Sequence, residues 1–118
     1  MINSYQDLLV WQKSMDLAVS VYTATKSFPK EETYGLTSQI RRAVVSISSN
    51  IAEGRSRNTV GEFNQFIGIA KGSIAELETQ IILANRLAYL TDAQKDELIS
   101  ACNEVSKMIM GLAKSLKK

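Results

Sequence analysis

An all-α fold, an antiparallel up-down-up-down four-helix bundle, is what this 118-residue sequence predicts, and three observations carry the prediction. Apolar residues recur at alternating spacings of three and four along four separate stretches, each long enough for several turns of amphipathic helix. No stretch of useful length alternates with period two, so strands are not indicated. The joints are short, with one Pro in the chain and no low-complexity run, and helices so joined lie antiparallel to their neighbours. A single domain over 1–118 is expected, long enough to bury one core and too short for two.

The first helix, about 7–27, has Leu8, Trp11, Met15, Ala18, Tyr22 and Thr25 as its apolar stripe. It stops at "SFPKEE", where Pro29 disfavours helical geometry at Phe28. The second, about 34–55, carries Leu36, Ile40, Ala43, Ile47 and Ile51, with Gly54 placed to take a left-handed turn that ends a helix.

The third helix, about 60–89, keeps the alternation through Val60, Phe63, Ile67, Ala70, Ile74, Leu77, Ile81, Ala84 and Ala88, a length of roughly 45 Å at 1.5 Å per residue. Thr59 and Glu62 form a T-x-x-E capping box at its start, where each side chain can take a backbone N–H that the first turn leaves unpaired. The fourth, about 92–116, opens with a second box, Thr91 and Gln94, and continues through Leu98, Cys102, Val105, Ile109, Leu112 and Leu116. The "YLTD" joint before it is so tight that the third and fourth helices must be antiparallel neighbours.

The outward faces separate the helices into two kinds. On the first and fourth they are ordinary wet surface: Lys13 and Asp16, then Asn103, Lys107, Lys114 and Lys117. The third instead presents Gly61, Gln65, Gly68, Gly72, Ala75 and Thr79, small and uncharged until Arg86. Each mid-helix glycine costs about 1 kcal/mol relative to Ala, so such a stripe calls for a compensating close contact. The outward side of the second helix is similar, with Val45, Ser48, Ser49 and Ala52. These residues are expected to pack against other copies of the chain, making a homo-oligomer.

Beside its apolar stripe the second helix carries a polar edge of Gln39, Arg42, Ser46, Asn50, Glu53 and, if the helix runs past Gly54, Arg57. A structural polar network of Gln39, Asn50 and Glu53 is expected there, because partly buried polar groups must satisfy one another.

Enzymatic chemistry finds little support. There is no His, which removes the commonest general base and the Glu-x-x-His ligands of di-iron bundles. One Cys cannot build a zinc site, and Cys102 falls on an apolar stripe as an inert core thiol. No glycine-rich phosphate loop follows a strand, and "KGS" at Lys71 to Ser73 lies inside a helix whose N–H groups are occupied. Neither a metal nor a cofactor is expected. A lone Cys, no signal-peptide pattern and no apolar run of about 20 residues point to a cytoplasmic protein without a membrane span.

The charge is nearly balanced, 14 basic against 12 acidic residues, so any basic site must be local. Arg41, Arg42, Arg55 and Arg57 crowd the second helix and its end, with Lys71 on the third. They are candidates for phosphate contact, and an oligomer would repeat them into a continuous surface. The competing reading is that Arg55 and Arg57 favour the negative end of the helix dipole.

The runs "YGLTSQIRRAVVSISSNIAEG", Tyr34 to Gly54, and "EFNQFIGIAKGSIAELETQ", Glu62 to Gln80, resemble the bacterial four-helix-bundle proteins encoded by intervening sequences in 23S ribosomal RNA genes, once labelled ribosomal proteins. "DLLVWQKSMDLAVSVY" and the "FP" before the second helix extend the resemblance over almost the whole chain. It implies an antiparallel bundle assembling into a ring, typically a pentamer. That family is in turn similar to the accessory variability protein of diversity-generating retroelements, a basic pentameric barrel that binds nucleic acid and a reverse transcriptase.

By that resemblance Gln39, Arg41, Arg42, Asn50, Glu53, Gly54, Arg57, Glu62, Phe63, Gly72, Ser73 and Glu76 match family motif positions, with no catalytic role to inherit. The sequence departs from the family after "NIAEG", where many members are richer in Lys and Arg and Val60 and Gly61 stand here. Two readings stay open: an oligomeric bundle binding RNA or DNA, and a protein-interaction scaffold whose arginines are structural.

Overall fold

The computed structural model describes residues 4–116 and contains four helices, α1 (Leu9–Thr25), α2 (Leu36–Arg55), α3 (Val60–Arg86) and α4 (Asp92–Ser115). Single 3-10 turns at Tyr5–Asp7 and Lys30–Glu32 precede α1 and α2. Consecutive helices are neighbours and α4 returns to α1, while the backbones of the diagonal pairs stay apart. The product is a four-helix bundle of 44 × 24 × 21 Å, with α2 and α3 in the closest association. Lys117 lies outside the described residues.

The core is aliphatic. Ile40, Ile47 and Ile51 of α2 meet Ile67, Leu77 and Ile81 of α3, with Leu17 and Val21 from α1 and Cys102, Val105 and Ile109 from α4 closing the far side. The apolar stripes of α2 and α4 are those the spacing predicts. That of α3 holds from Ile67 to Ala84, and its outer members, Val60 and Ala88, are exposed.

On α1 the buried stripe is Val10, Ser14, Leu17, Val21 and Thr25, whereas Met15 and Tyr22 are 40% exposed. The helix is apolar over most of its circumference, as "LLV" at Leu8 to Val10 shows, so spacing alone admits adjacent stripes. The stripe that wins tolerates Ser14 because its hydroxyl donates to the Val10 carbonyl at 2.7 Å, which removes the penalty for burying it.

The helix ends show three distinct solutions. At the start of α4 the Thr91 hydroxyl accepts from the Gln94 N–H at 3.1 Å and the Gln94 side chain accepts from the Thr91 N–H at 2.9 Å, a complete capping box. At the start of α3 only half of the box forms: Thr59 accepts from the Glu62 N–H, and its hydroxyl donates to the Glu62 carboxylate at 3.1 Å. The end of α3 comes at Arg86, short of 89, because Ala88 enters the left-handed region at φ 64° and the Tyr89 N–H turns back to the Ala84 carbonyl at 2.9 Å.

Gly54 does not end α2. No glycine among the described residues has positive φ, and Gly54 sits buried within the last turn. Its role is close approach: a Cβ there would lie 2.8 Å from the Phe66 Cβ and 2.9 Å from the Phe63 Cδ1 of α3. Glycine is needed because two helices meet, not because the chain turns.

Candidate functional site

The polar edge of α2 resolves into two separate clusters. Asn50 donates to the Ser46 carbonyl at 2.7 Å and to the Ser46 hydroxyl at 3.0 Å, and that hydroxyl shares a 2.8 Å hydrogen bond with Ser73 on α3. Asn50, Ser46 and Ser73 therefore make a short polar ladder between the helices. Glu53 is not part of it; its carboxylate pairs with Arg57 at 2.7 Å, where both side chains are about half exposed. Gln39 is exposed and lines a shallow cleft with Arg42, Ala43, Ser46 and Glu76. The expected joint network of Gln39, Asn50 and Glu53 is thus replaced by two, because Asn50 bonds back along its own helix.

The arginines are not equivalent. Arg41 turns toward α1: its Nε donates to the Thr25 hydroxyl at 2.9 Å, and its guanidinium lies 4.6 Å from the centre of the Tyr22 ring. Another N–H of Arg41 donates to the Tyr22 carbonyl at 3.3 Å, near the end of α1 where helix carbonyls lack partners. Arg57 joins Glu53 to Phe66, with its guanidinium 4.8 Å from that ring, and so ties the end of α2 to the start of α3. Arg55 is half-buried and engaged, whereas Arg42 is exposed.

These groups do not form one patch. Fourteen residues at 1.5 Å separate Arg41 from Arg55 by about 21 Å along α2. Lys71 is exposed on another side, in a cleft lined with Met110, Gly111, Ala113 and Lys114 of α4.

The small-residue faces stand where the spacing puts them. Gly61, Gly68, Gly72, Ala75, Val45 and Ser49 are exposed, Ala52 is half-buried, and a Cβ on any of the three glycines would meet nothing within 4 Å. Ser48 is the exception, buried with its hydroxyl on the Val45 carbonyl at 3.2 Å. The sequence stripe missed the apolar residues beside it, Ile69, Ile82 and Leu83, which are 51%, 44% and 46% exposed.

Cys102 is buried, and burial pushes its thiol up to about 12, with the Glu78 charge adding to the effect. It is an inert thiol. No cluster of three His, Cys, Asp or Glu residues fit to hold a metal occurs among the described residues, and no described helix is long and apolar enough to cross a membrane.

Fold and surface together define a four-helix bundle whose distinctive chemistry lies on its outer faces and not in an enclosed cavity. The family model described as 23S rRNA-intervening sequence protein matches residues 6–111, and the chain belongs to that family. Among solved structures it is similar to a protein of unknown function from the S23 ribosomal protein family of Bacteroides thetaiotaomicron VPI-5482, with 25% identity and a TM-score of 0.83. The match covers 90% of this chain and 99% of that one. No curated protein matches the chain. Neither the family description nor that of the solved relative names an enzymatic activity.

Proposed function

We propose that the chain is a non-enzymatic building block that assembles with copies of itself through the outward faces of α2 and α3 and presents basic side chains to RNA or DNA. One observation carries the assembly: along α3 the exposed residues Gly61, Gln65, Gly68, Gly72, Ala75, Thr79 and Ile82 share an uncharged face about 30 Å long, bordered by exposed Glu76 on one side and Lys71 on the other. An uncharged face with an exposed isoleucine at its end gains by leaving water, and mid-helix glycines let a neighbouring backbone come close. The family resemblance supports a ring, with five subunits favoured.

The nucleic-acid part draws on the family's link to ribosomal RNA genes and on Arg42 and Lys71, exposed and outside the ion pairs of the described residues. Arg41 and Arg57 serve the fold, which is the observation favouring a second reading: a scaffold that recruits a protein partner.

The test is the solution mass of Gly68→Glu and Gly72→Glu. A Cβ at either site meets open space, so a single chain accommodates both substitutions, and an uncompensated carboxylate in the interface should give folded monomers. Folded variants that keep the wild-type mass, or a wild-type protein that is itself monomeric, would remove the interface.

A further inference from the structure

One cleft of about 440 Å³, between α3 and α4, is lined by Lys71, Met110, Gly111, Ala113 and Lys114. Two ammonium groups line it and no carboxylate does. Lys107 stands seven residues before Lys114 on α4, a spacing that keeps both on one face. None of the three lysines takes part in the ion pairs of Lys13 with Glu104, Arg57 with Glu53 or Lys95 with Asp96. Glu78, the α3 carboxylate that acts on Cys102 of α4, is two helical turns from Lys71.

The helix dipole accounts for Lys114, in the last turn of α4, but not for Lys107 or for Lys71 in the middle of α3. The sequence from Lys107 to Lys118 holds four lysines and no Asp or Glu, and Glu104, one turn before Lys107, is paired with Lys13 at 3.8 Å. Seven residues set Lys107 and Lys114 about 10 Å apart along α4. The floor is low, since Gly111 has no side chain to hold a phosphate chain away.

We propose that Lys71, Lys107 and Lys114 form a row across the α3–α4 groove that grips the phosphodiester backbone of a nucleic acid. The row rests on the nucleic-acid part of the reading above; on α3 Lys71 borders Gly68 and Ala75 of the proposed interface, so solution mass is read alongside affinity. The row contacts phosphates and not base edges, so it binds without sequence preference.

The test is the affinity of the full chain for an RNA hairpin and for a DNA duplex across a salt series, in wild type and in the combined Lys71→Ala, Lys107→Ala, Lys114→Ala variant. The expected result is at least a tenfold loss at low salt, with the slope of log K against log salt on the duplex reduced by about 0.9 per lysine engaged. The side chains are exposed or half-exposed, so helix content and solution mass should stay the same, and the corresponding triple Arg variant should bind like wild type. A loss confined to one nucleic acid names the source of the phosphates. If the Ala variant binds like wild type and Arg42→Ala does not, the row is overturned and the broader reading survives; if wild type binds neither nucleic acid at low salt, both fall.

Discussion

Tyr89 donates its hydroxyl to the Glu32 carboxylate at 3.0 Å, which ties the α3–α4 joint to the α1–α2 joint at one end of the bundle. The other oxygen of Glu32 accepts from the Leu36 N–H at 3.0 Å, one of the donors that the start of α2 leaves unpaired. Phe28 packs beside the Tyr89 ring, 5.4 Å between centroids. One carboxylate thus closes two connections. The hydrogen bond to Glu32, with burial and the Glu32 charge behind it, raises the Tyr89 hydroxyl above its ordinary 10.0. Because the folded state holds this proton more tightly, the stabilisation is complete below pH 10 and is lost as pH rises through the folded value. Tyr89→Phe should lower the thermal midpoint at pH 7 and flatten the decline of stability above pH 10, both read from melting curves.

Ala88 occupies a left-handed position that glycine adopts at no steric cost. Ala88→Gly should therefore stabilise the protein by about 0.5–1 kcal/mol, even after the greater freedom glycine gives the unfolded chain. Urea unfolding with an unchanged slope would show it, and a loss of stability would contradict the turn at the end of α3.

Gly54 and Gly111 should respond to alanine in opposite directions. Gly54→Ala forces a methyl group against the Phe66 Cβ and the Phe63 ring, so α2 and α3 must move apart at a cost of about 1–3 kcal/mol. Gly111→Ala meets nothing within 4 Å and improves helix propensity, a gain of up to about 1 kcal/mol. Equal effects in denaturant melts would mean that close packing does not explain Gly54.

Cys102 should be silent toward thiol reagents at pH 8 while the protein is folded, because its thiol is buried and titrates near 12. Labelling should appear only across the unfolding transition. Rapid modification of native protein would show that α4 opens away from the core.

The helices were legible in the sequence wherever charged and small polar residues interrupt the rest of the circumference, although Val44 is buried beside the assigned stripe of α2. In α2 and α4 every apolar position assigned to the stripes is buried or partly buried. In α1, Leu9 and Val19 are exposed beside a buried Val10 and Leu17, so periodicity could not choose a rotation. Gly54 carried a local signal, glycine near a helix end, whose cause is non-local, the two phenylalanines of α3. At the site, the small uncharged face of α3 was readable from spacing, since no tertiary contact intervenes. The partners of Arg41 and Arg57 were not, because Thr25 and Phe66 sit on neighbouring helices. On spacing alone the lysines of α4 read as ordinary solvent-facing charge. What sets Lys114 apart is the cleft it shares with Lys71 of α3, a contact between helices that spacing does not show.

The close pairing of α2 with α3 also orders how the molecule comes apart. These helices are joined by the short corner at Ser56 to Thr59 and tied by the Ser46–Ser73 hydrogen bond and the Arg57–Phe66 stack. Amide protons of Ile47, Ile51, Ile74 and Leu77 should exchange with deuterium only through complete unfolding, whereas those of the first turn of α1 should exchange by local fraying. A short-range helical hairpin that holds together last is also the unit that can form first, so denatured chains should recover α2 and α3 before α1 and α4 dock.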